Sequence, residues 1–174
     1  MAEMASRLHA VGVSGLESSF HSWVDPTRFV VPPGCDPGLW NAAFSVWLEG
    51  PPRFTPVFIH RDYHPGNLIW YRGRISGVVD WAHGCAGPAG LDLSTCWWNL
   101  LDHVGVDRAN GYVQHYENST GLATQWFWML DGLLSPDPSN WNKPWMVETE
   151  PALRLILHRL DQTGECGPAA SDLP

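Results

Sequence analysis

Apolar positions recur at helical spacing over both ends of the chain and shorten into extended runs at its centre. Residues 1–10 read as a helix, and residues 11–36, rich in glycine, proline and serine, as a long loop. Leu39, Ala43, Val46 and Trp47 share one face of a helix over Pro37 to Glu49. Asp36 is its expected cap, Pro37 lies in its first turn, and Gly50-Pro51-Pro52 stops it. Val57-Phe58-Ile59 is a short strand. Asn67-Leu68-Ile69-Trp70-Tyr71 and Ile75-Ser76-Gly77-Val78-Val79 flank the turn Arg72-Gly73-Arg74 and predict a hairpin. Helices are expected over Leu91 to His103, Asp107 to Asn118 with Gly121 beyond its end, and Thr124 to Leu134, the last broadly apolar and buried. After a proline-punctuated loop from Ser135 to Pro144, a final helix over Glu148 to Leu160 packs through Leu153, Leu155, Ile156, Leu157 and Leu160. Thr163 to Pro174 reads as a frayed tail, and no internal repeat is evident.

The polar residues inside the extended centre carry the chemistry. Residues 60–67 read His-Arg-Asp-Tyr-His-Pro-Gly-Asn, and Val78-Val79-Asp80-Trp81 closes the hairpin thirteen positions on. Asp62 suits the removal of a proton from a hydroxyl. Asn67 and Asp80 supply the oxygen ligands that Mg²⁺ prefers, with phosphates and water completing the set. Antiparallel pairing brings the start of one strand beside the end of its partner, as shared metal binding requires of Asn67 and Asp80.

His60 to Leu93 resembles the catalytic core of the aminoglycoside phosphotransferase and choline kinase-like family, relatives of the protein kinases. His60-Arg61-Asp62-Tyr63-His64-Pro65-Gly66-Asn67 is similar to its catalytic loop, and Gly77-Val78-Val79-Asp80-Trp81 to its metal-binding motif. Gly87-Pro88-Ala89-Gly90-Leu91-Asp92-Leu93 resembles the segment that follows. The resemblance implies Asp62 as catalytic base and Asn67 and Asp80 as ligands for Mg²⁺ and nucleotide. It implies His60, His64 and Asp92 as supports of the loop, His64 standing where protein kinases usually carry lysine. It also implies an α+β fold, a mostly helical kinase-like carboxy-terminal lobe over residues 1–162 with small β-hairpins, followed by a flexible tail over 163–174. The implied reaction is phosphorylation of a hydroxyl on a small molecule, dependent on ATP or another nucleoside triphosphate.

In that family an amino-terminal lobe covers ATP and supplies a lysine. Here the catalytic loop starts at residue 60 and the one lysine is Lys143, so the chain resembles the carboxy-terminal lobe alone. It reads as a fragment or as a complete protein lacking the nucleotide-covering lobe. Leu8-His9-Ala10 resembles the end of the helix after the interlobe hinge, which favours the fragment. Without the lid and its lysine, the expectation is weak binding of Mg-ATP and slow transfer. Exposed apolar surface there would promote self-association. Gly84, Gly87 and Gly90 do not open a helix after a first strand and read as a flexible segment behind the metal loop.

Composition narrows the partners. A net charge of −8 leaves no basic stripe for nucleic acid and suits a neutral or cationic acceptor. Asp102, Asp107, Glu117, Asp131, Glu148 and Glu150 are either amine contacts or a solvated acidic surface. Trp97, Trp98, Trp126, Trp128, Trp141 and Trp145 read as packing mass, with an aromatic ligand wall as the sharper alternative. Cys35, Cys85, Cys96 and Cys166 show no Cys-x-x-Cys spacing and read as reduced thiols of a cytoplasmic protein. No run has the length of a membrane helix, and nothing resembles a signal peptide. Asn118-Ser119-Thr120 fits a glycosylation acceptor by chance.

Two other classes stand beside the kinase reading. His60, Asp62 and His64, alternating on an extended strand with His83 nearby, would make a transition-metal site for hydrolysis, but Pro65-Gly66-Asn67 then has no role. A lobe without its lid would also serve as a non-catalytic binding or regulatory module, for which retaining Asp62, Asn67 and Asp80 together is unnecessary.

Overall fold

The computed structural model describes residues 1–16, 20–135 and 149–165, apart from the side chain of Asp102. In chain order its elements are α1 (Ala2–His9), α2 (Pro37–Leu48), β1 (Val57–Ile59), a 3₁₀ turn (Pro65–Asn67), β2 (Leu68–Tyr71), β3 (Arg74–Val78), β4 (Cys85–Gly87), α3 (Gly90–Val104), α4 (Val106–Thr120), α5 (Trp126–Leu134) and α6 (Glu150–Thr163). This is an α+β chain of helices and two small antiparallel sheets, as expected. The chain divides into two compact units, Met1–Phe20 with Phe54–Thr124, and His21–Arg53 with Gln125–Pro174.

In the first unit α4 packs against α1 and α3, and α1 also meets β1. Ala5, Leu8, Leu93, Trp97, Ala109, Val113 and Tyr116 are buried, so the helical periodicity read from the sequence becomes one continuous apolar interior. The predicted hairpin forms. Leu68 pairs with Val78 and Ile69 with Gly77, a bulge follows Ile69, and Tyr71 pairs with Arg74. Arg72 and Gly73 form the two-residue turn with φ of 50° and 73°, the pair of left-handed conformations that matches the twist of the strands.

The second sheet corrects the reading of the post-metal glycines as flexible. Val57, Phe58 and Ile59 pair antiparallel with Gly87, Ala86 and Cys85, and the Phe20 N–H donates to the Ala86 carbonyl at 2.9 Å. Gly87 is buried. A Cβ there would lie 2.5 Å from Ile59 Cδ1 and 2.9 Å from Phe20 Cβ, so glycine is needed for close packing rather than for looseness. Gly90 opens α3.

In the second unit α2 packs against α5 and α6, which also pack on each other. Asp36 caps α2 as expected, its Oδ1 accepting from Gly38 N at 2.9 Å and Leu39 N at 3.4 Å. The buried face of α2 is Leu39, Trp40 and Ala43, with Trp40 at its centre, while Val46 and Trp47 are half-buried. The α5 helix is buried over most of its length. The α6 helix packs through Ala152, Leu153, Ile156 and Leu160, leaving Leu155 and Leu157 half-buried. It runs to Thr163, Gly164 closes it with φ 62°, and the Glu165 carboxylate accepts from Phe127 N, so the start of the expected tail is helix and cap. The rest of that tail, with Cys166, lies outside the described residues, as do Lys143, Glu148 and most of the loop before α6.

Trp97 and Trp128 are core residues, Trp98 and Trp126 are half-buried, and Trp141 and Trp145 lie outside the described residues. The acidic residues are not one solvated face. Asp131 is buried and accepts from Ser22 Oγ at 2.6 Å and Trp47 Nε1 at 2.9 Å. Glu117 accepts from Thr124 N and Glu150 from Asp36 N, whereas Asp107 is exposed. Cys35, Cys85 and Cys96 are buried free thiols. Asn118-Ser119-Thr120 lies in the last turn of α4, where Ser119 and Thr120 bond the carbonyls of His115 and Tyr116. Among the described residues no helix is long and apolar enough to cross a membrane.

Candidate active site

The segment from β1 to β3 leaves regular structure where its polar residues cluster. Ile59 is fully buried at the end of β1, and the chain then bends through Arg61 with φ 71°, a left-handed conformation that costs a non-glycine residue about 1–2 kcal/mol. Asp92, in the first turn of α3 and fully buried, spans the bend. Its Oδ2 accepts from His60 N at 2.8 Å and its Oδ1 from Arg61 N at 2.7 Å. The Arg61 guanidinium is buried over the Phe20 ring, 5.0 Å from its centroid.

His60 joins this bend to the far end of the hairpin. Its Nε2–H donates to the Val79 carbonyl at 2.8 Å, and its Nδ1 accepts from Asp62 N at 3.3 Å. A carbonyl can only accept and an amide N–H can only donate, so the two bonds select the Nε2–H tautomer. The Trp81 ring covers His60 at 4.5 Å between centroids and stacks on Phe58 at 5.5 Å, with its Nε1–H on the Val78 carbonyl. Both ring nitrogens of His60 are thus committed to backbone groups. Among the described residues no group of three or more His, Cys, Asp or Glu side chains converges as a metal site. The alternating-strand arrangement of His60, Asp62 and His64 therefore does not form, because the loop turns at Arg61 instead of staying extended.

Asp62, His64 and Asn67 do come together. The Asn67 side-chain amide donates at 2.9 Å to both the carbonyl and the Oδ2 of Asp62. His64 caps the 3₁₀ turn, its Nδ1 accepting from Gly66 N at 3.1 Å, so its Nε2 carries the proton and lies 3.6 Å from Asp62 Oδ2. Gly66 is required beneath it, since a Cβ would come within 2.8 Å of the imidazole. Oδ2 of Asp62 is thus held by the Asn67 amide, with His64 Nε2 beyond hydrogen-bond distance, and Oδ1 takes no hydrogen bond among the described residues. The Asp62 side chain is 44% exposed, open to a molecule arriving from solvent.

Asp80 is reached through the hairpin ladder. Leu68 faces Val78, and Val79 N–H donates to the Asn67 carbonyl at 3.0 Å, so Asp80 follows the residue opposite Asn67. Asp80 is exposed with φ 66°, and its carboxylate has no protein partner among the described residues. The two side-chain N–H groups of Asn67 face Asp62, which leaves its side-chain Oδ1 for another ligand. One amide oxygen and one unpartnered carboxylate, both hard oxygen donors, fit a magnesium ion that keeps most of its waters and phosphates.

Two residues of the cluster had escaped sequence reasoning. His9, the last residue of α1, donates from Nε2 to Asp92 Oδ2 at 3.1 Å, and its Nδ1 lies 2.7 Å from the Tyr116 hydroxyl on α4. Burial, with the Asp92 charge adding to it, pushes the Tyr116 hydroxyl up to about 12. The partners of His9 stand 83 and 107 positions away, so the sequence places it at a helix end without showing what it bonds.

A strand, a bent loop carrying a carboxylate, and a hairpin presenting an amide and a second carboxylate make up the candidate site. The model of the phosphotransferase enzyme family (APH) matches residues 2–127, and the chain belongs to that family. No curated protein matches the chain.

Proposed function

We propose that this chain is an ATP-dependent phosphotransferase acting on a hydroxyl of a small molecule, with Asp62 as general base and Asn67 and Asp80 as Mg²⁺ ligands. The observation that carries the reading is the Asn67 amide bonded to the Asp62 carboxylate, with Asp80 one residue past Asn67's ladder partner. Magnesium and ATP, when bound, supply the transferable γ-phosphoryl group and offset its charge. Asp62 accepts the hydroxyl proton on its open Oδ1 as the acceptor oxygen takes the phosphoryl group and the bond to the leaving diphosphate breaks. The Asn67 amide keeps the other carboxylate oxygen from rotating into that role. Asp92 and His60 hold the backbone on which Asp62 and Asp80 stand, so the geometry is set before substrate arrives. The net charge of −8 supports a neutral or cationic acceptor, such as an amino sugar or a quaternary amino alcohol.

The test is Mg²⁺-dependent phosphoryl transfer from γ-labelled ATP to a panel of hydroxyl compounds, with the wild-type chain and two variants. Asp62→Ala is expected to lower turnover by about 10²–10⁴-fold and leave nucleotide affinity within about threefold. Asp80→Ala is expected to weaken both. Equal turnover in Asp62→Ala removes the base assignment, and nucleotide binding without transfer to any acceptor favours a non-catalytic binding role.

A further inference from the structure

We propose that the outer edge of β2 is an interface between copies of this chain, where a second copy adds its own β2 antiparallel about a twofold axis at Trp70. The proposal goes beyond the phosphotransferase reading and does not rest on it.

Among the described residues β2 and β3 form a sheet of two strands, so each has an open edge. The edge of β3 is blunted. Arg74 charges it, Ser76 is an extra residue that bends it, and Trp81 Nε1–H occupies the Val78 carbonyl. The edge of β2 has none of these devices, since Leu68-Ile69-Trp70-Tyr71 carries no charge, proline or glycine. Ile69, Trp70 and Tyr71 are 48%, 52% and 61% exposed, and such residues side by side mark an interaction surface where single ones would not.

The register follows from the ladder. Val79 N–H donates to the Asn67 carbonyl, so Asn67, Ile69 and Tyr71 turn their backbone groups to β3, while those of Leu68 and Trp70 point away. Leu68 N–H is already taken by the Pro65 carbonyl, which puts Trp70 at the centre of the usable edge. Two Trp70 residues exchanging N–H and carbonyl across the axis set Ile69 opposite Tyr71 of the second copy and Arg72 opposite its Leu68. Each exposed apolar side chain then meets another. Arg72 is carried toward the second copy's Asn67 and the Asp62 carboxylate bonded to it, an attraction at the contact in a chain whose net charge of −8 otherwise holds copies apart. The exposed halves of Trp70 and Tyr71, at roughly 200 Å² for each whole side chain, with Ile69 and Arg72 come to about 400 Å² per copy, half of a standard interface. The association is therefore weak, with an expected Kd of about 10–100 µM.

The test is sedimentation equilibrium of the 174-residue chain, expected to show monomer and dimer exchanging in that range. Trp70→Lys and Tyr71→Lys each place a charge on the edge and are expected to weaken association about tenfold or more, with helix content unchanged by circular dichroism. Arg72→Glu is expected to weaken it about threefold or more. Cys35, Cys85 and Cys96 are buried, so in a Cys166→Ser background the only reactive thiol is an introduced one. There Trp70→Cys is expected to give a disulfide-linked dimer on mild oxidation, because an exchanged pair sets its Cα atoms about 5.5 Å apart. Arg74→Cys, on the blunted edge of β3, is expected to stay monomeric. A parent chain that is monomeric at about 100 µM leaves the edge to a different polypeptide and overturns the proposal. Growth past the dimer, unchanged association in any of the three charge variants, or equal crosslinking at residues 70 and 74 also overturns it. If Trp70→Lys does not fold, Tyr71→Lys and the two cysteine variants decide it.

Discussion

Gly87→Ala is the sharpest test of how the loop is supported. The added methyl would sit 2.5 Å from Ile59 Cδ1, 3.3 Å from Ile59 Cγ1 and 2.9 Å from Phe20 Cβ. Ile59 is fully buried, so its terminal methyl has no empty space to swing into, and an off-rotamer side chain costs roughly 0.5–1.5 kcal/mol. Phe20 Cβ is the root of its side chain, and the Phe20 N–H is bonded to the Ala86 carbonyl, so relieving that contact moves main chain. Overpacking of this kind costs about 1–3 kcal/mol. Against it stands a gain of about 0.4–1 kcal/mol from restricting the unfolded chain. The expected net loss is about 1–2 kcal/mol in urea denaturation followed by tryptophan fluorescence, with an unchanged m-value. Gly77→Ala is the control. Its nearest neighbour is Ile69 Cδ1 at 3.7 Å, an ordinary contact, so only the unfolded-state gain remains and stability is expected to hold or rise. A flexible segment at residues 84–90 predicts the same small gain at both positions. A Gly87→Ala chain as stable as the parent would therefore refute the packed β1–β4 sheet behind the loop of residues 60–67.

Other expected outcomes follow from the same contacts. Asp92→Asn keeps the shape but turns an NH₂ group toward either Arg61 N–H or the His60 and His9 donors, a loss of about 2–4 kcal/mol by urea denaturation; a change below about 1 kcal/mol would contradict the described network. Asn67→Asp sets a second carboxylate against Asp62, and is expected to lower stability by about 1–2 kcal/mol after allowance for water at half-exposed Asp62. Millimolar Mg²⁺ should restore part of that loss, and absence of any Mg²⁺ effect on its melting would count against metal at this position. Burial pushes the Cys96 thiol from its ordinary 9.0 up to about 12. The folded chain thus keeps a proton that the unfolded chain gives up, so this stability is fully present below pH 9.0 and is lost as pH rises toward about 12. The slope is about 1.4 kcal/mol per pH unit for each such group. Cys96→Ala is expected to flatten the alkaline limb by one group's share in pH-dependent denaturation, and an unaltered slope would mean that the thiol titrates alike in both states.

The parts of the fold that were legible are those whose signal lies within a few residues. The Arg72-Gly73 turn, the Asp36 cap and the spacing of Leu153, Ile156 and Leu160 each state their own geometry, and the elements formed within a few residues of expectation. The β4 strand was not legible, because Cys85-Ala86-Gly87 carries no β-branched residue and owes its extension to β1 and Phe20 on either side. Asp131 shows the same limit. On sequence it counts as one more acidic residue, yet it is buried because Ser22 and Trp47 reach it from far along the chain.

The candidate site divides along the same line. Asp62, His64 and Asn67 sit in one eight-residue loop whose order carries its geometry, since Asn67 reaches back to Asp62 and His64 to Gly66. What keeps that loop in shape is drawn from three helices and the segment that follows β3, through Asp92, His9, Tyr116 and Trp81. A catalytic carboxylate needs only its own short neighbourhood to be recognised. To be useful it must also be held within a fraction of an ångström, and a three-residue strand followed by a left-handed arginine has little rigidity of its own. Rigidity has to be brought in from elements that are stable by packing. Of these, α3 begins with the residue pattern that supplies Asp92, which is why Asp92 could be read, while α1 and α4 carry His9 and Tyr116 at positions that satisfy ordinary helical periodicity. Their second role, as polar members of an otherwise apolar interface, becomes visible only when the three helices are brought together.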